Sequence, residues 1–389
     1  MAHRIVVIGA GYAGLTAAGR ASRLLRGAHV TLVNAAPDFV ERVRLHQAAV
    51  GHTLHKHRLA DVVHGTGIEL VIGRVTALDA QRRELLIDTR GEPLGYDTLV
   101  YALGSGPDTA GVPGTAEHAV EISGPDGAHA LRDRIRERAG RGVLTVVGGG
   151  LTGIEAATEL AESHPLLRVR LLSATDPGDA LSPRGAAHLR RVFDRLGIDV
   201  HSGARVEEVR HDAIALAGGR SVGSDITVWA SGFTVPGVAQ QAGLAVDDKG
   251  RVIVDQTLRS VSHPEVYAVG DSAVLRRPDG LELRMACATG LPAGWYAAGA
   301  VAKRLTGREP RSPFTFTYFQ QCISLGRRDG LIQFTDRDDR PRQAVLTGSA
   351  AVQYKEAIVR GASWAARTAR STPERRRTAG ESLPIRATA

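Results

Sequence analysis

Cysteine is scarce in this chain of 389 residues, which contains only Cys287 and Cys322. Two isolated cysteines form neither a disulfide framework nor a paired-cysteine metal site, so we expect no bound metal. A low cysteine content is typical of proteins in a reducing compartment, and we therefore expect a cytoplasmic location.

Long apolar runs are also missing. None approaches the roughly 18 consecutive apolar residues that a membrane-spanning helix requires. The first residues lead directly into a predicted core strand, so we expect no signal peptide. The net charge is +8, carried largely by arginine. Because no nucleic-acid-binding module accompanies this charge, we expect no nucleic-acid partner.

The opening stretch carries the clearest motif. Ile5 to Ile8 is a β-branched apolar run, typical of a strand buried on both faces of a parallel sheet. Gly9, Gly11 and Gly14 then form G-x-G-x-x-G before a predicted helix from Leu15 to Leu25. In this motif the glycines permit a tight turn, the approach of backbone N–H groups to a diphosphate, and close helix–strand packing. The pattern predicts a dinucleotide site at the helix N-terminus.

The same pattern occurs a second time. Val143 to Val147 is an apolar strand, followed by Gly148, Gly150 and Gly153 and by the start of a helix at Glu155. Two such motifs predict two dinucleotide sites in one chain. The length also exceeds what one core usually holds. We therefore expect an α/β fold with two Rossmann-like dinucleotide-binding domains.

Three further strands end in glycine. The segments Tyr96–Gly104 and Asp225–Gly232 are predicted buried strands, and Val266 to Val269 leads into Gly270 and Asp271. A carboxylate there would lie at the carboxyl edge of a parallel sheet, where ligands bind, although it can equally cap a helix. The remaining predicted elements are short antiparallel strands at 71–78 and 84–88, helices at 184–196 and 291–306, and a strand at 314–319.

With both glycine motifs and the Gly270-Asp271 pair, the chain resembles the two-dinucleotide flavoprotein reductases. Within them it looks most like type II NADH dehydrogenases and apoptosis-inducing-factor-like quinone reductases. The resemblance implies a discontinuous FAD domain in residues 1–110 and 241–312, with an NAD(P)H domain inserted at 111–240. A C-terminal α+β cap or interface region would follow at 313–370. We expect the polar, arginine-rich tail, 371–389, to be disordered.

The resemblance also assigns cofactors to the two sites. FAD would occupy the first, with its diphosphate on the glycine motif and Asp271 on the ribityl chain. NADH or NADPH would occupy the second, with Glu155 near the nicotinamide. The expected FAD contacts are Gly9, Gly11, Tyr12, Ala13, Gly14, Asn34, Arg42, Gly104, Gly270 and Asp271. The expected NAD(P)H contacts are Gly148, Gly150, Gly153, Ser173 and Gly232.

Each predicted site lacks the usual ribose-binding acid. Rossmann folds place an Asp or Glu about 20 residues after the last glycine. That position is Asn34 in the first site, which can still hydrogen-bond a ribose, and Ser173 in the second. Ser173 would not repel the 2′-phosphate of NADPH, which Arg184, Arg190 or Arg191 could reach. The choice between NADH and NADPH stays open.

The chain departs from its relatives at the positions of redox chemistry. Disulfide-reducing relatives carry a cysteine pair in the helix after the second strand, where this chain has His46 and Gln47. An internal dithiol relay is therefore not expected. Type II dehydrogenases place an Ala-Gln pair beside the flavin, whereas the nearest counterpart here is Ala286-Cys287. The glutamine that contacts quinone is thus absent.

Glu155, His46 and Cys287 are the candidate catalytic residues. His46 could donate a proton to the reduced acceptor, since histidine titrates near neutral pH. It could also tether the flavin covalently, or simply be a helix residue bonded near the cofactor. Cys287 could be a thiol beside the flavin or a small buried hydrophobe, and we expect the second role for Cys322.

The segment 350–370 has a helical pattern with few large apolar residues. Weak peripheral membrane contact is possible for such a helix. An intramolecular cover or a homodimer contact agrees better with its alanine-rich composition.

These observations predict a FAD-dependent NAD(P)H oxidoreductase. Hydride would pass to the flavin, and electrons would then pass to a small acceptor such as a quinone or another conjugated organic molecule. One alternative is a flavin-dependent tailoring oxidase or dehydrogenase of specialised metabolism with a degenerate nicotinamide domain. Another is a redox-sensing flavoprotein.

Overall fold

The computed structural model describes residues 2–368, so the predicted tail at 371–389 lies outside the described residues. The first region contains three helices and one 3₁₀ turn at Arg42–Arg44. The helices are α1 (Tyr12–Leu24), α2 (Leu45–Ala49) and α3 (Leu59–Val63). The strands are β1 (Arg4–Ile8), β2 (His29–Asn34), β3 (Asp38–Phe39), β4 (His57–Arg58), β5 (Ile68–Ile72), β6 (Val75–Asp79), β7 (Glu84–Ile87), β8 (Leu94–Gly95), β9 (Thr98–Tyr101) and β10 (Gly106–Pro107).

The middle region again alternates helices and strands. Its helices are α4 (Thr115–His118), α5 (Pro125–Glu137), α6 (Leu151–Ser163), α7 (Pro183–Leu196) and α8 (Val238–Gln241). Its strands are β11 (Ala119–Glu121), β12 (Gly142–Val147), β13 (Leu167–Leu172), β14 (Asp199–His201), β15 (Val206–Val209), β16 (Ala213–Leu216), β17 (Arg220–Gly223), β18 (Ile226–Trp229) and β19 (Phe233–Thr234).

The last region contains two long helices and a 3₁₀ turn at Gly270–Ser272. The helices are α9 (Cys287–Leu305) and α10 (Gly348–Arg367). The strands are β20 (Val252–Ile253), β21 (Val266–Ala268), β22 (Ala273–Val274), β23 (Gln320–Ser324), β24 (Gly330–Thr335) and β25 (Pro341–Thr347).

Two five-stranded parallel sheets form the framework. The first has the order β21-β9-β1-β2-β5 and the second the order β11-β18-β12-β13-β14. In each sheet the central strand is the one that precedes a glycine motif. The apolar runs of β1 and β12 are buried, as both faces of a central parallel strand should be. The expected α/β fold with two Rossmann-like units is confirmed.

The first sheet takes strands from both sides of the second sheet in the sequence. Strands β1, β2, β5 and β9 come from the first region, whereas β21 comes from the last. This strand order agrees with an inserted second unit. The domain bounds given above remain a prediction.

Two strand predictions are wrong. The stretch 71–78 is not one strand, because Gly73 separates β5, a parallel edge strand, from β6, which pairs antiparallel with β7. The stretch 314–319 is not a strand, and β23 begins only at Gln320. Here the backbone N–H of Phe314 donates to the carbonyl of Gln256 at 2.7 Å, and no strand ladder forms.

Helices α9 and α10 both pack against α1. A Cβ at Gly294 of α9 would lie only 2.1 Å from the carbonyl oxygen of Ala13, so only glycine permits this contact. Helix α10 also packs on the antiparallel sheet β23-β24-β25 through a buried stripe that includes Ala351, Lys355 and Val359. It therefore forms a cover within the chain. Among residues 2–368, no helix has the length and hydropathy to cross a bilayer.

Candidate active site

The first glycine turn leaves room for a diphosphate. At Gly9, whose φ is +95°, a Cβ would lie 2.3 Å from the carbonyl oxygen of Ala102, and at Gly14 it would lie 1.9 Å from that of Gly9. A Cβ at Gly11 would instead meet nothing within 4 Å. Gly11 caps α1 without a side-chain hydrogen bond, so N–H groups at the helix start lack intrahelical partners. Open space beside free N–H groups fits the diphosphate of FAD.

The second turn repeats this geometry. Gly148 has a φ of +123°, and its Cβ would lie 2.6 Å from the carbonyl oxygen of Ala230. A Cβ at Gly153 would lie 1.8 Å from the carbonyl oxygen of Gly148, whereas Gly150 faces open space. Gly232, at a φ of +74°, follows β18 at the same sheet edge. The turn therefore fits a second dinucleotide diphosphate.

Asn34 holds the first turn in place. Its Oδ1 accepts a hydrogen bond from the N–H of Ala10 at 2.8 Å, and its Nδ2 donates to the carbonyl of Ala36 at 2.7 Å. Both ends of the amide are thus engaged within the chain. Ribose binding by Asn34 stays a prediction.

Three polar side chains meet at the carboxyl edge of the first sheet. The hydroxyl of Ser105 donates to Oδ2 of Asp271 at 2.7 Å, and Nη1 of Arg42 lies 3.9 Å from the same oxygen. Gly104 and Gly270, which precede two of them, have φ values of +69° and +72°. Asp271 lies in the 3₁₀ turn Gly270–Ser272, which has no side-chain capping hydrogen bond. Its role towards FAD stays a prediction.

A cavity of about 420 Å³ borders the second turn. Ser173 lines it, as do the carboxylates Asp176 and Asp179 and the guanidinium of Arg205. Arg184, Arg190 and Arg191, which we expected to reach a 2′-phosphate, are not among the residues that line this cavity. Arg205, which precedes β15, is the arginine that lines the cavity.

Glu155 is the centre of a buried charged cluster. Its Oε1 accepts a hydrogen bond from the N–H of Ser324 at 3.0 Å and forms an ion pair with Nζ of Lys355. Its Oε2 lies 3.9 Å from Nδ1 of His46. Burial alone would raise the pKa of the Glu155 carboxyl, but Lys355 and the other partners outweigh it and hold the pKa below its usual value. The cluster joins α2, α6, β23 and α10.

His46 is buried, and its Nε2 has no hydrogen-bond partner among the described residues. Burial lowers the pKa of His46 to about 4, so the imidazole is neutral near neutral pH. An unpartnered ring nitrogen in the interior fits a neighbouring ligand atom. The structure thus brings His46 and Glu155 together, as two of the three candidate catalytic residues.

The two cysteines are protonated thiols. Cys287 is the first residue of α9, and burial together with the nearby Asp271 carboxylate raises its pKa. Cys322 lies in β23, and burial raises its pKa to about 11. Since the thiolate is the reactive form, neither cysteine is activated as a nucleophile.

Sequence analysis missed Lys355, Ser324 and Ser105. One signal could have found Lys355: the chain has lysine only at 56, 249, 303 and 355. Lys355 shares a helical stripe with Ala351 and Val359, and a lone lysine on an otherwise apolar stripe needs a partner. Ser324 and Ser105 act through hydrogen bonds to residues far away in the sequence, and no motif marks them.

The profile of the family described as "Pyridine nucleotide-disulphide oxidoreductase" matches residues 3–302. The chain is 31% identical over 386 residues to an NADH dehydrogenase-like protein of Mycobacterium tuberculosis, covering 91% of this chain and 92% of that protein. It is 28% identical to the type II NADH:quinone oxidoreductase Ndh of the same organism, covering 82% and 76%.

Solved structures share the fold at low sequence identity. The sulfide:quinone oxidoreductase of Aquifex aeolicus superposes with a TM-score of 0.79 at 19% identity, covering 96% of this chain and 93% of that one. NDH2 of Plasmodium falciparum in complex with NADH gives a TM-score of 0.79 at 13% identity, covering 95% and 96%. The resemblance inferred from the two glycine motifs is confirmed by these matches. The chain belongs to the pyridine nucleotide-disulphide oxidoreductase family, and is thus a FAD-dependent oxidoreductase that uses a pyridine nucleotide.

Proposed function

We propose that this enzyme is an NAD(P)H:quinone oxidoreductase, with FAD at the first glycine turn and the pyridine nucleotide at the second. The observation that carries the proposal is the buried cluster of Glu155, Lys355 and His46, which lies where the two units and the C-terminal cover meet. The type II NADH:quinone oxidoreductases among its relatives support the same acceptor. When bound, FAD supplies the acceptance of a hydride and the onward transfer of electrons.

The glycine turns bind and orient the two cofactors. The N–H groups at the starts of α1 and α6 would hold the diphosphates, and the helix dipoles favour their negative charge. The Arg42–Ser105–Asp271 group would hold the flavin end at the carboxyl edge of the first sheet. Hydride transfer then depends on how closely the two rings stack, since positioning supplies much of the rate.

Lys355 is the proton donor in this proposal. Reduction of a quinone to a quinol consumes two electrons and two protons, and its oxygens become basic as charge arrives. The ammonium of Lys355 carries a proton at Nζ, and the carboxylate of Glu155 beside it stabilises that charge. His46 is neutral, so we assign it the positioning of Glu155 and of the bound ring. Donation by His46, predicted from the sequence, is the weaker alternative at its low pKa.

Three large apolar side chains are exposed on or beside the elements that carry this cluster, and we call them the exposed apolar face. Phe319 is 71% exposed just before β23, and Ile358 and Trp364 of α10 are 45% and 60% exposed. Large apolar side chains in such exposed positions often mark a contact surface. We propose that a quinone, and weakly the surface of a membrane, contacts this face. A homodimer through it remains a prediction, as does the cytoplasmic location.

Within residues 2–368, no structural feature favours the two alternative functions. A tailoring oxidase would have a degenerate nicotinamide domain, but the second turn keeps the glycine geometry of the first. A redox sensor would require a long-lived reduced flavin, which the stopped-flow experiment below can detect.

Anaerobic stopped-flow spectroscopy tests the proposal. Rapid bleaching of the flavin band by NADH or NADPH, followed by rapid recovery with a water-soluble quinone, is the expected result. No bleaching would favour the tailoring oxidase, and a long-lived reduced complex would favour the sensor. Bleaching without recovery by quinone would reject the acceptor alone. Acid or heat should release FAD, and flavin retained on the denatured chain would make His46 the first residue to map.

A further inference from the structure

Glu159 is a buried carboxylate outside the Glu155–Lys355–His46 cluster. It lies one helical turn after Glu155 on α6, and its side chain is 0% exposed. Neither of its oxygens has a hydrogen-bond partner among the described residues. The basic side chains beside it are His52, with Nε2 at 3.4 Å, and Arg327, with Nε at 3.9 Å, both measured to Oε1. A carboxylate buried without hydrogen bonds is costly and calls for an explanation.

The groups that face Glu159 come from four elements. Glu155 and Glu162 share α6, Arg327 follows β23, Lys355 belongs to α10, and His52 follows α2. Burial raises the pKa of Glu159 most, Arg327 and Lys355 lower it, and the two neighbouring carboxylates raise it further. The result is a pKa of about 7. Near neutral pH this carboxyl group can therefore both release and accept a proton.

His52 connects Glu159 to a cavity next to the cluster. This outer cavity measures about 580 Å³ and is lined by His52 and Arg327 among other residues. The side chain of His52 is 48% exposed, so one end of the imidazole is accessible to water while the other faces Glu159. A histidine that bridges solvent and a buried carboxyl group is suited to shuttle protons.

A very small cavity lies next to the outer cavity and borders Lys355. Its volume is about 10 Å³, close to the space of one water molecule. Gln47 and Arg327 line both this cavity and the outer one, and Lys355 lines only the small one. The two cavities thus share part of their walls, and the small one borders the proposed proton donor. Glu159 and Glu155 are themselves neighbours at i and i+4 on α6.

We propose that His52 and Glu159 form the proton-uptake route of this enzyme, carrying a proton from the outer cavity to the Glu155–Lys355 pair. The inference rests on the proposed function. A hydride brings two electrons and one proton from NAD(P)H, so reduction of a quinone to a quinol requires one more proton from solvent. Nζ of Lys355 gives that proton to the quinone oxygen. Glu159 then reprotonates Lys355, and water reprotonates Glu159 through His52.

The first test separates the two half-reactions. Glu159→Gln keeps the shape of the side chain and removes the exchangeable proton, and Glu162→Gln is the matched control on the same helix. Reduction of the flavin by NAD(P)H should stay within about twofold of the parent in both variants. Reoxidation by a water-soluble quinone at neutral pH should slow by about tenfold or more in Glu159→Gln only, with a larger solvent isotope effect. Reoxidation at the parental rate would overturn the route. Failure of NAD(P)H to reduce the parental flavin would overturn the proposed function instead.

The second test needs no turnover. Burying a carboxyl group whose folded pKa lies above the unfolded value stabilises the fold at low pH, and this stability is lost as the pH rises towards the folded pKa. Glu159→Gln should therefore match the thermal midpoint of the parent near about pH 5 and exceed it near about pH 8. Glu162→Gln removes one of the carboxylates that raise the pKa of Glu159, so it should show a much smaller trend than Glu159→Gln. A midpoint difference that does not change with pH would contradict a titrating Glu159.

His52→Ala tests the outer end of the route. The variant should slow reoxidation by quinone, and added imidazole should restore it, because the cavity is large enough to admit the free ring. A purely structural role of His52 predicts no rescue. Slow reoxidation that imidazole leaves unchanged would remove His52 from the route.

Discussion

The two glycine turns match closely in their backbone contacts but differ in what surrounds them. A Cβ at Gly14 or Gly153 would lie 1.9 or 1.8 Å from the carbonyl oxygen of the first glycine of its turn. Helix α1, however, is buried from Tyr12 to Gly19, where α9 and α10 pack on it. The start of α6 is only partly buried and borders the cavity of about 420 Å³.

Because of this difference, we expect the two cofactors to stay bound to the enzyme for different lengths of time. A cofactor held at a turn whose helix is covered on several sides dissociates only if packed elements move. A nucleotide at the second turn can enter and leave through the open cavity in every catalytic cycle. Under the proposed assignment, the same local motif would hold a resident group in one place and an exchanging substrate in the other.

Replacing the middle glycine of each turn should give the largest and most contrasting effects. Gly11→Val and Gly150→Val place side chains in space that is open within 4 Å, at ordinary φ values of −70° and −73°. The fold without cofactor should therefore keep its thermal midpoint. Gly11→Val should lose most bound FAD, measured as flavin absorbance per chain. Gly150→Val should keep FAD but be reduced by NAD(P)H about 100-fold more slowly, or about 2.7 kcal/mol. Equal flavin loss in both variants would mean that the turns do not divide the cofactors in this way.

Lys355→Met probes the place where the two units meet. The substitution leaves the Glu155 carboxylate buried without its cation, which typically costs about 3–5 kcal/mol of stability. Adding Glu155→Gln should recover part of that loss in chemical denaturation. Reoxidation by quinone should slow by about 10- to 100-fold, as expected for a lost general acid. If reoxidation is unaffected while stability falls, Lys355 is a structural partner only.

A smaller effect is expected at the ribose end of the second site. Arg205 lines the same cavity as Ser173, so Arg205→Ala should weaken the use of NADPH about tenfold and leave NADH nearly unchanged. Ser173→Glu should shift the preference towards NADH, by adding ribose hydrogen bonds and repelling a 2′-phosphate. The parental efficiencies with the two donors should differ by less than about 100-fold. Steady-state kinetics with both nucleotides decide this, and Arg184→Ala is the control outside the cavity.

The smallest effect should follow removal of the thiols. Because both cysteines have raised pKa values, neither is a thiolate near neutral pH. Cys287→Ser and Cys322→Ser, singly and together, should keep acceptor reduction within about tenfold, under about 1.4 kcal/mol in barrier. If the rate of acceptor reduction falls about a thousandfold, or about 4 kcal/mol, while the flavin is still bound and reduced, a thiol-dependent mechanism is favoured instead.

The turns could be predicted from sequence because each is a local event. The strand, three glycines and helix of each motif lie within about a dozen residues, and every part indicates the same structure. The Glu155–Lys355 pair joins positions 200 residues apart, and no local pattern encodes that contact. The strand prediction at 314–319 was wrong for a related reason, because side-chain and loop partners replace the expected strand pairing there.

Helix α10 has a consequence for the biosynthesis of the enzyme. A nascent chain that has reached residue 300 already contains both glycine turns, both central strands and Asp271. It still lacks Lys355, so Glu155 has no cation beside it and part of α1 has no cover. Cofactor capture can therefore precede the completion of the proton-handling cluster during synthesis. A chain that stops before α10 would thus have both glycine turns but not the Glu155–Lys355 ion pair.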